Sequence, residues 1–113
     1  MTVREIAACP EFTIVNEGST MDTDISRLFT CDLLSICMSK ASAGCAWVTV
    51  MGNVNAVAVA VLTDAACIVL AENISLDEAA LAKAEQQQVT VLKTALPIFD
   101  AALLIHSKLP CAG

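Results

Sequence analysis

The sequence predicts an α/β fold of three layers: a mainly parallel sheet with βαβ crossovers and helices on both faces. Two observations carry this. From residue 46 to residue 109, short apolar β-branched segments alternate with helix-forming ones in the order βαβαβα, and strands separated by single helices imply parallel pairing with right-handed crossovers. The composition agrees, because 113 residues that are 57% hydrophobic and 16% charged can bury one core and are too apolar for disorder. One domain over residues 1–113 is expected.

Thr2 with Glu5 three residues on is a capping-box pattern that opens a short helix, and Pro10 bars its extension. Phe12-Thr13-Ile14-Val15 reads as a strand. Asn16-Glu17-Gly18-Ser19 is turn chemistry, and Met21-Asp22-Thr23-Asp24 is an acidic loop leading into an extended piece over residues 25–29. Asp32 is placed to cap a helix over residues 33–41, with Leu33, Leu34, Cys37 and Met38 recurring on one face. Gly44 ends that unit, and Ala46-Trp47-Val48-Thr49-Val50 is a strand.

Residues 54–62 alternate valine and alanine as a strand does, yet their alanine content and Asn53 as N-cap favour a helix. Position decides for the helix: it completes a crossover to the strand at residues 67–71, whereas a strand would need a tight hairpin with Gly52-Asn53 in the wrong order. Ser75 and Glu78 form a second capping-box pattern before a helix over residues 76–87. Val89-Thr90-Val91-Leu92 is the next strand. Pro97 suits a first helical turn, and Ile98, Ala102, Ile105 and Leu109 give the last helix its apolar face.

Six basic against 12 acidic residues give a net charge of −6, which offers no footprint for a phosphate backbone and excludes nucleic acid as a partner. The one apolar stretch of membrane length, residues 54–71, has Asp64 inside it at a cost of about 2.5–3.5 kcal/mol, so no membrane span is expected. Cysteines 9, 31, 37, 45, 67 and 111 form no CxxC pair, and no apolar leader precedes them. Most lie in apolar runs, and the expectation is a reduced cytoplasmic chain with free thiols and no metal.

Neither GxxxxGK[ST] nor GxGxxG occurs, so the standard nucleotide-phosphate loops are absent. The single histidine, His106, reads as an exposed imidazole near a helix end rather than a base. Asp22 and Asp24 lack further oxygen ligands for a cation. In parallel sheets ligands collect where strands exit toward helix N-termini, here residues 51–53, 72–75 and 93–95. Gly52 and Asn53 would let a small polar ligand approach backbone N–H groups, whereas Glu72 opposes a strongly anionic one.

Cys31-Asp32-Leu33-Leu34-Ser35, Trp47-Val48-Thr49-Val50, Asn55-Ala56-Val57-Ala58-Val59-Ala60-Val61-Leu62 and Asp77-Glu78 resemble the DRTGG domain family over nearly the whole chain. The resemblance implies the fold of the N-terminal domain of HPr kinase/phosphorylase, a helix over residues 54–62, and an accessory or sensory module. Such domains accompany CBS or phosphotransacetylase modules, and stand-alone members occur in anaerobic bacteria, some beside iron-only hydrogenase genes. Where the family has a glycine-containing turn, this chain has Glu72-Asn73-Ile74-Ser75. Kinase activity does not carry over, because the kinase site belongs to a P-loop domain absent here.

The function expected is a non-catalytic regulatory or small-ligand-binding domain of unknown cofactor. The alternative is a protein-interaction accessory factor in anaerobic redox or hydrogenase metabolism. The ligand-binding candidates are Asp32, Ser35, Gly52, Asn53, Glu72, Asn73 and Thr94, with no catalytic and no metal-binding residue. A homodimer is also expected: residues 54–62 surround one asparagine with apolar side chains, as in a helix buried all round, and one small chain has too few elements to cover it.

Overall fold

The structure, a computed structural model, describes residues 1–109. The elements are α1 (Val3–Ala7), β1 (Phe12–Asn16), β2 (Arg27–Thr30), α2 (Leu34–Lys40), β3 (Cys45–Thr49), α3 (Val54–Thr63), β4 (Cys67–Leu70), α4 (Glu78–Gln87), β5 (Val91–Thr94) and α5 (Ile98–Lys108). They build a five-stranded sheet in the order β1-β5-β4-β3-β2. β2 to β5 are parallel, with Trp47 paired to Phe29 on one side and to Ile68 on the other, and β1 closes the β5 edge antiparallel.

Because β2, β3, β4 and β5 lie side by side in chain order, three right-handed crossovers place α2, α3 and α4 on one face. There α3 packs between α2 and α4, while α1 and α5 cover the other face. The pleat divides the buried side chains accordingly. Trp47, Ile68, Leu70 and Val91 join Val57, Ala60, Ala80 and Ala84 in one core. Ala46, Val48, Val69 and Leu92 join Val3, Ile6, Ala101 and Ile105 in the other. Three layers result, as the sequence predicts.

Local signals set most of the elements. Thr2 and Glu5 make the full capping box of α1, and Asn53 Oδ1 accepts from Ala56 N to start α3. Three expectations change. The last strand begins two residues later than residue 89, because Gln88 adopts a left-handed conformation and Val89 N still closes α4 onto Ala84 O. α2 is shorter than residues 33–41 and buries only Cys37; Leu33, Ile36 and Met38 are exposed, because this seven-residue helix meets the core along one line only. α3 is not buried all round: Ala56, Val57, Val59 and Ala60 are covered, whereas Val54, Val61 and Leu62 face outward, Leu62 being 71% exposed.

Candidate functional site

The carboxyl ends of β2 to β5 and the N-termini of α2 to α5 share one edge of the sheet, and every sequence-predicted candidate lies along it. Thr49 and Thr94, the last residues of β3 and β5, are both buried. Each hydroxyl accepts from the N–H two residues on, Met51 at 3.3 Å and Leu96 at 3.2 Å. This local hydroxyl-to-amide bond ends a strand and turns the chain toward its helix.

Asp32 does not cap α2. Its Oδ1 accepts from Thr49 Oγ1 at 2.6 Å and from Val50 N at 3.2 Å, which ties the loop after β2 to the end of β3. The N-cap of α2 is Leu33, which has no side-chain acceptor. Ser35, on the first turn of α2, is exposed.

Gly52 opens no space for a ligand. A Cβ there would lie 2.3 Å from Ser75 O, and Asp77 N donates to Gly52 O at 3.0 Å, so glycine is required for two crossover loops to meet. Ser75 does not form the second capping box. The α4 cap is Asp77, whose Oδ1 accepts from Ala80 N at 2.8 Å, while Ser75 Oγ accepts from Lys93 Nζ at 2.9 Å. A carboxylate two residues closer to the helix has the shorter reach to its free N–H groups.

Glu72 and Asn73 form a tight turn in which both residues have φ of 58° and Ile74 N donates to Ala71 O at 3.1 Å. The chain keeps a turn geometry that glycine favours while having none there. Its amides point inward: Glu72 N donates to Leu96 O and Asn73 N to Thr94 O, at 2.9 and 2.8 Å. They make no anion cradle, and only the exposed Glu72 and Asn73 side chains are left for a ligand.

The edge therefore combines exposed hydrogen-bonding groups on Ser35, Asn53 and Asn73 with the carboxylates of Asp32, Glu72, Asp77 and Glu78, against one lysine, Lys93. Sequence reasoning missed Thr49, Asp77 and Lys93. The signal for the first was present, since a threonine ends the strand at both 49 and 94. His106 stands in the last turn of α5, at the far end of a helix that starts from this edge. Of the acidic loop, Asp22 accepts from Arg4 Nε at 2.9 Å, which holds its carboxyl below the usual range, and Asp24 pairs with Thr2 through its backbone. Among the described residues no three His, Cys, Asp or Glu side chains gather as a metal site. No described helix is long and apolar enough to cross a membrane. A groove of about 250 Å³ lies away from this edge, lined by Ala58, Val61 and Leu62 of α3 and by Lys83 and Gln87 of α4.

No protein-family description matches this sequence, and no curated protein matches it. Among solved structures the chain is similar to the crystal structure of the CBS and DRTGG domains of the regulatory region of Clostridium perfringens pyrophosphatase, complexed with its activator diadenosine tetraphosphate. The TM-score is 0.69 and the identity 12%, over 96% of this chain and 46% of that one, so this chain spans less than half of that structure. The likeness is one of fold, and it supports a DRTGG-like α/β architecture.

Proposed function

We propose that the chain is a non-catalytic regulatory module that binds a small polar ligand at the carboxyl edge of its sheet. The observation that carries this reading is the fold it shares with a regulatory region whose activator is a dinucleotide. The chemistry of the edge supports a small polar ligand: side-chain donors and acceptors gather there, while His106 stands a helix length away. The edge is acidic, so the ligand is neutral or cationic, or brings a divalent cation with its phosphates. The similarity to the HPr kinase/phosphorylase N-terminal domain enters as architecture only, and a cytoplasmic location is part of the same proposal.

The test is a thermal-shift panel of nucleosides, nucleotides and dinucleoside polyphosphates, each with and without Mg²⁺. A ligand at ~100 times its Kd stabilises the protein by about 2.7 kcal/mol. Ser35→Ala, at an exposed position, should leave the unliganded midpoint unchanged and reduce the shift. A panel that moves the midpoint nowhere overturns the reading.

One observation favours an interaction role at a second surface. Leu33, Ile36 and Met38 of the α2 segment and Val54, Val61 and Leu62 of the α3 segment are exposed apolar side chains on two neighbouring helices of one helical layer, and α3 carries no charge. We propose that a second copy of the chain covers them.

A further inference from the structure

We propose that Cys31 and Cys37 are a redox-active dithiol, which a small-molecule disulfide of the glutathione class converts to an intramolecular disulfide.

Cys31 follows β2 directly and Cys37 lies in the second turn of α2. The Cys37 thiol folds back on its neighbour: its Sγ donates to the Cys31 carbonyl oxygen at 3.7 Å. Cys31 Sγ turns toward the same loop, donating to Leu33 O at 3.6 Å. The carbonyl that receives Cys37 also receives the Trp47 indole N–H at 2.9 Å, so the position of Cys31 is held from below by the core. No comparable pair exists among the other described cysteines. Cys45 and Cys67 belong to opposite faces of the sheet, and the Cys9 Sγ donates to Glu5 O within its own helix segment.

Exposure assigns the order of reaction. Cys31 is half-buried and reachable, whereas Cys37 is fully buried. The Cys31 thiolate attacks the small disulfide, forming a mixed disulfide and expelling one thiolate. The Cys37 thiol then loses its proton to solvent and attacks the Cys31 sulfur; the protein S–S bond forms and the second small thiolate leaves. Two protein thiols are oxidised and one small disulfide is reduced to two thiols. Burial, with Cys31 and Asp32 nearby, pushes the Cys37 thiol up to about 12. In the mixed disulfide the contribution of Cys31 is gone and burial still holds the Cys37 thiol protonated, so the second step speeds up as the pH rises and the thiolate fraction grows. Final closure to bonding distance needs a small shift of α2, a short helix without a side-chain cap.

The experiment uses the reduced full chain, oxidised glutathione in excess, acid quenching, alkylation and trypsin. Cleavage after Arg27 and Lys40 releases residues 28–40, which contain Cys31 and Cys37 and no other cysteine. The expected peptide is two hydrogens lighter than the reduced one and refuses alkylation. Cys37→Ser should instead retain glutathione on Cys31, and Cys31→Ser should leave Cys37 unreacted in the folded protein. Fluorescence of Trp47, the one tryptophan, should fall as the bond forms and recover with dithiothreitol in the unmodified protein alone. The proposal is overturned if the unmodified chain stops at the mixed disulfide on Cys31, or if both thiols are recovered alkylated; this outcome is read on the unmodified protein, whatever the variants do.

Discussion

Cys67 sits in β4 facing the α1 and α5 layer, 1% exposed, and burial pushes its thiol up to about 12. An unfolded thiol ionises at about 8.5. Between these values the unfolded chain has released a proton that the folded chain retains, so the contribution is fully present below about pH 8.5 and is lost as the pH rises toward 12. The slope is about 1.4 kcal/mol per pH unit for this one thiol. Urea midpoints measured near neutral pH and at about pH 10 should therefore fall steeply with pH. Cys67→Ala should cost about 1 kcal/mol at neutral pH through lost packing and flatten the alkaline decline. An unchanged decline in the variant would show that the Cys67 thiol is not held neutral. That Cys67 is buried is legible in Ala66-Cys67-Ile68-Val69-Leu70. The role of Asp32 is not, because its acceptor oxygen is claimed by Thr49 and Val50, 17 and 18 residues away.

Helix caps separate what local pattern decides at the scale of the element. Thr2 and Asn53 cap as the sequence predicts, because each has one acceptor side chain at the right place and no rival. α4 offers two candidates within three residues, Ser75 and Asp77, and Lys93 from β5 engages the serine. Asp77→Ala should cost about 1 kcal/mol and fray the first turn of α4, whereas Ser75→Ala should lie within about 0.5 kcal/mol of the parent. Chemical denaturation with amide exchange over residues 78–81 checks both. Equal losses in the two variants would restore the serine as the cap. α2 has no acceptor at its start and buries a single residue, which explains why its predicted extent was too long and why, of its apolar face, Leu34 and Cys37 meet the core while Leu33 and Met38 are exposed.

For the whole molecule, the two faces of α3 make opposite predictions. Val57 is fully buried against the sheet, so Val57→Glu places an unpaired charge in the core and should abolish folding. Leu62 faces outward, so Leu62→Glu should leave a folded chain and break the contact with a second copy. Sedimentation at tens of micromolar should give a dimer for the unmodified protein and a folded monomer for Leu62→Glu. An unmodified protein that sediments as a monomer defeats the proposed self-association. Periodicity could not separate these faces, since valine and alanine occur on both.

The sequence by itself determined the order of elements, the parallel character of the sheet, the helix over residues 54–62 and the absence of standard phosphate loops. These follow from propensity, capping and hydrophobic period, which act over a few neighbouring residues. Only the tertiary structure decided that Gly52 closes against Ser75, that Asp32 holds the end of β3, that the amides of the Glu72-Asn73 turn are spent on the β5–α5 loop, and that the Cys37 thiol returns to Cys31. Most of these join groups from different crossovers, and the Cys37 contact needs the chain to fold back on itself through α2. Each partner is therefore chosen by where the sheet register and helix packing set the backbones, not by the residues beside it.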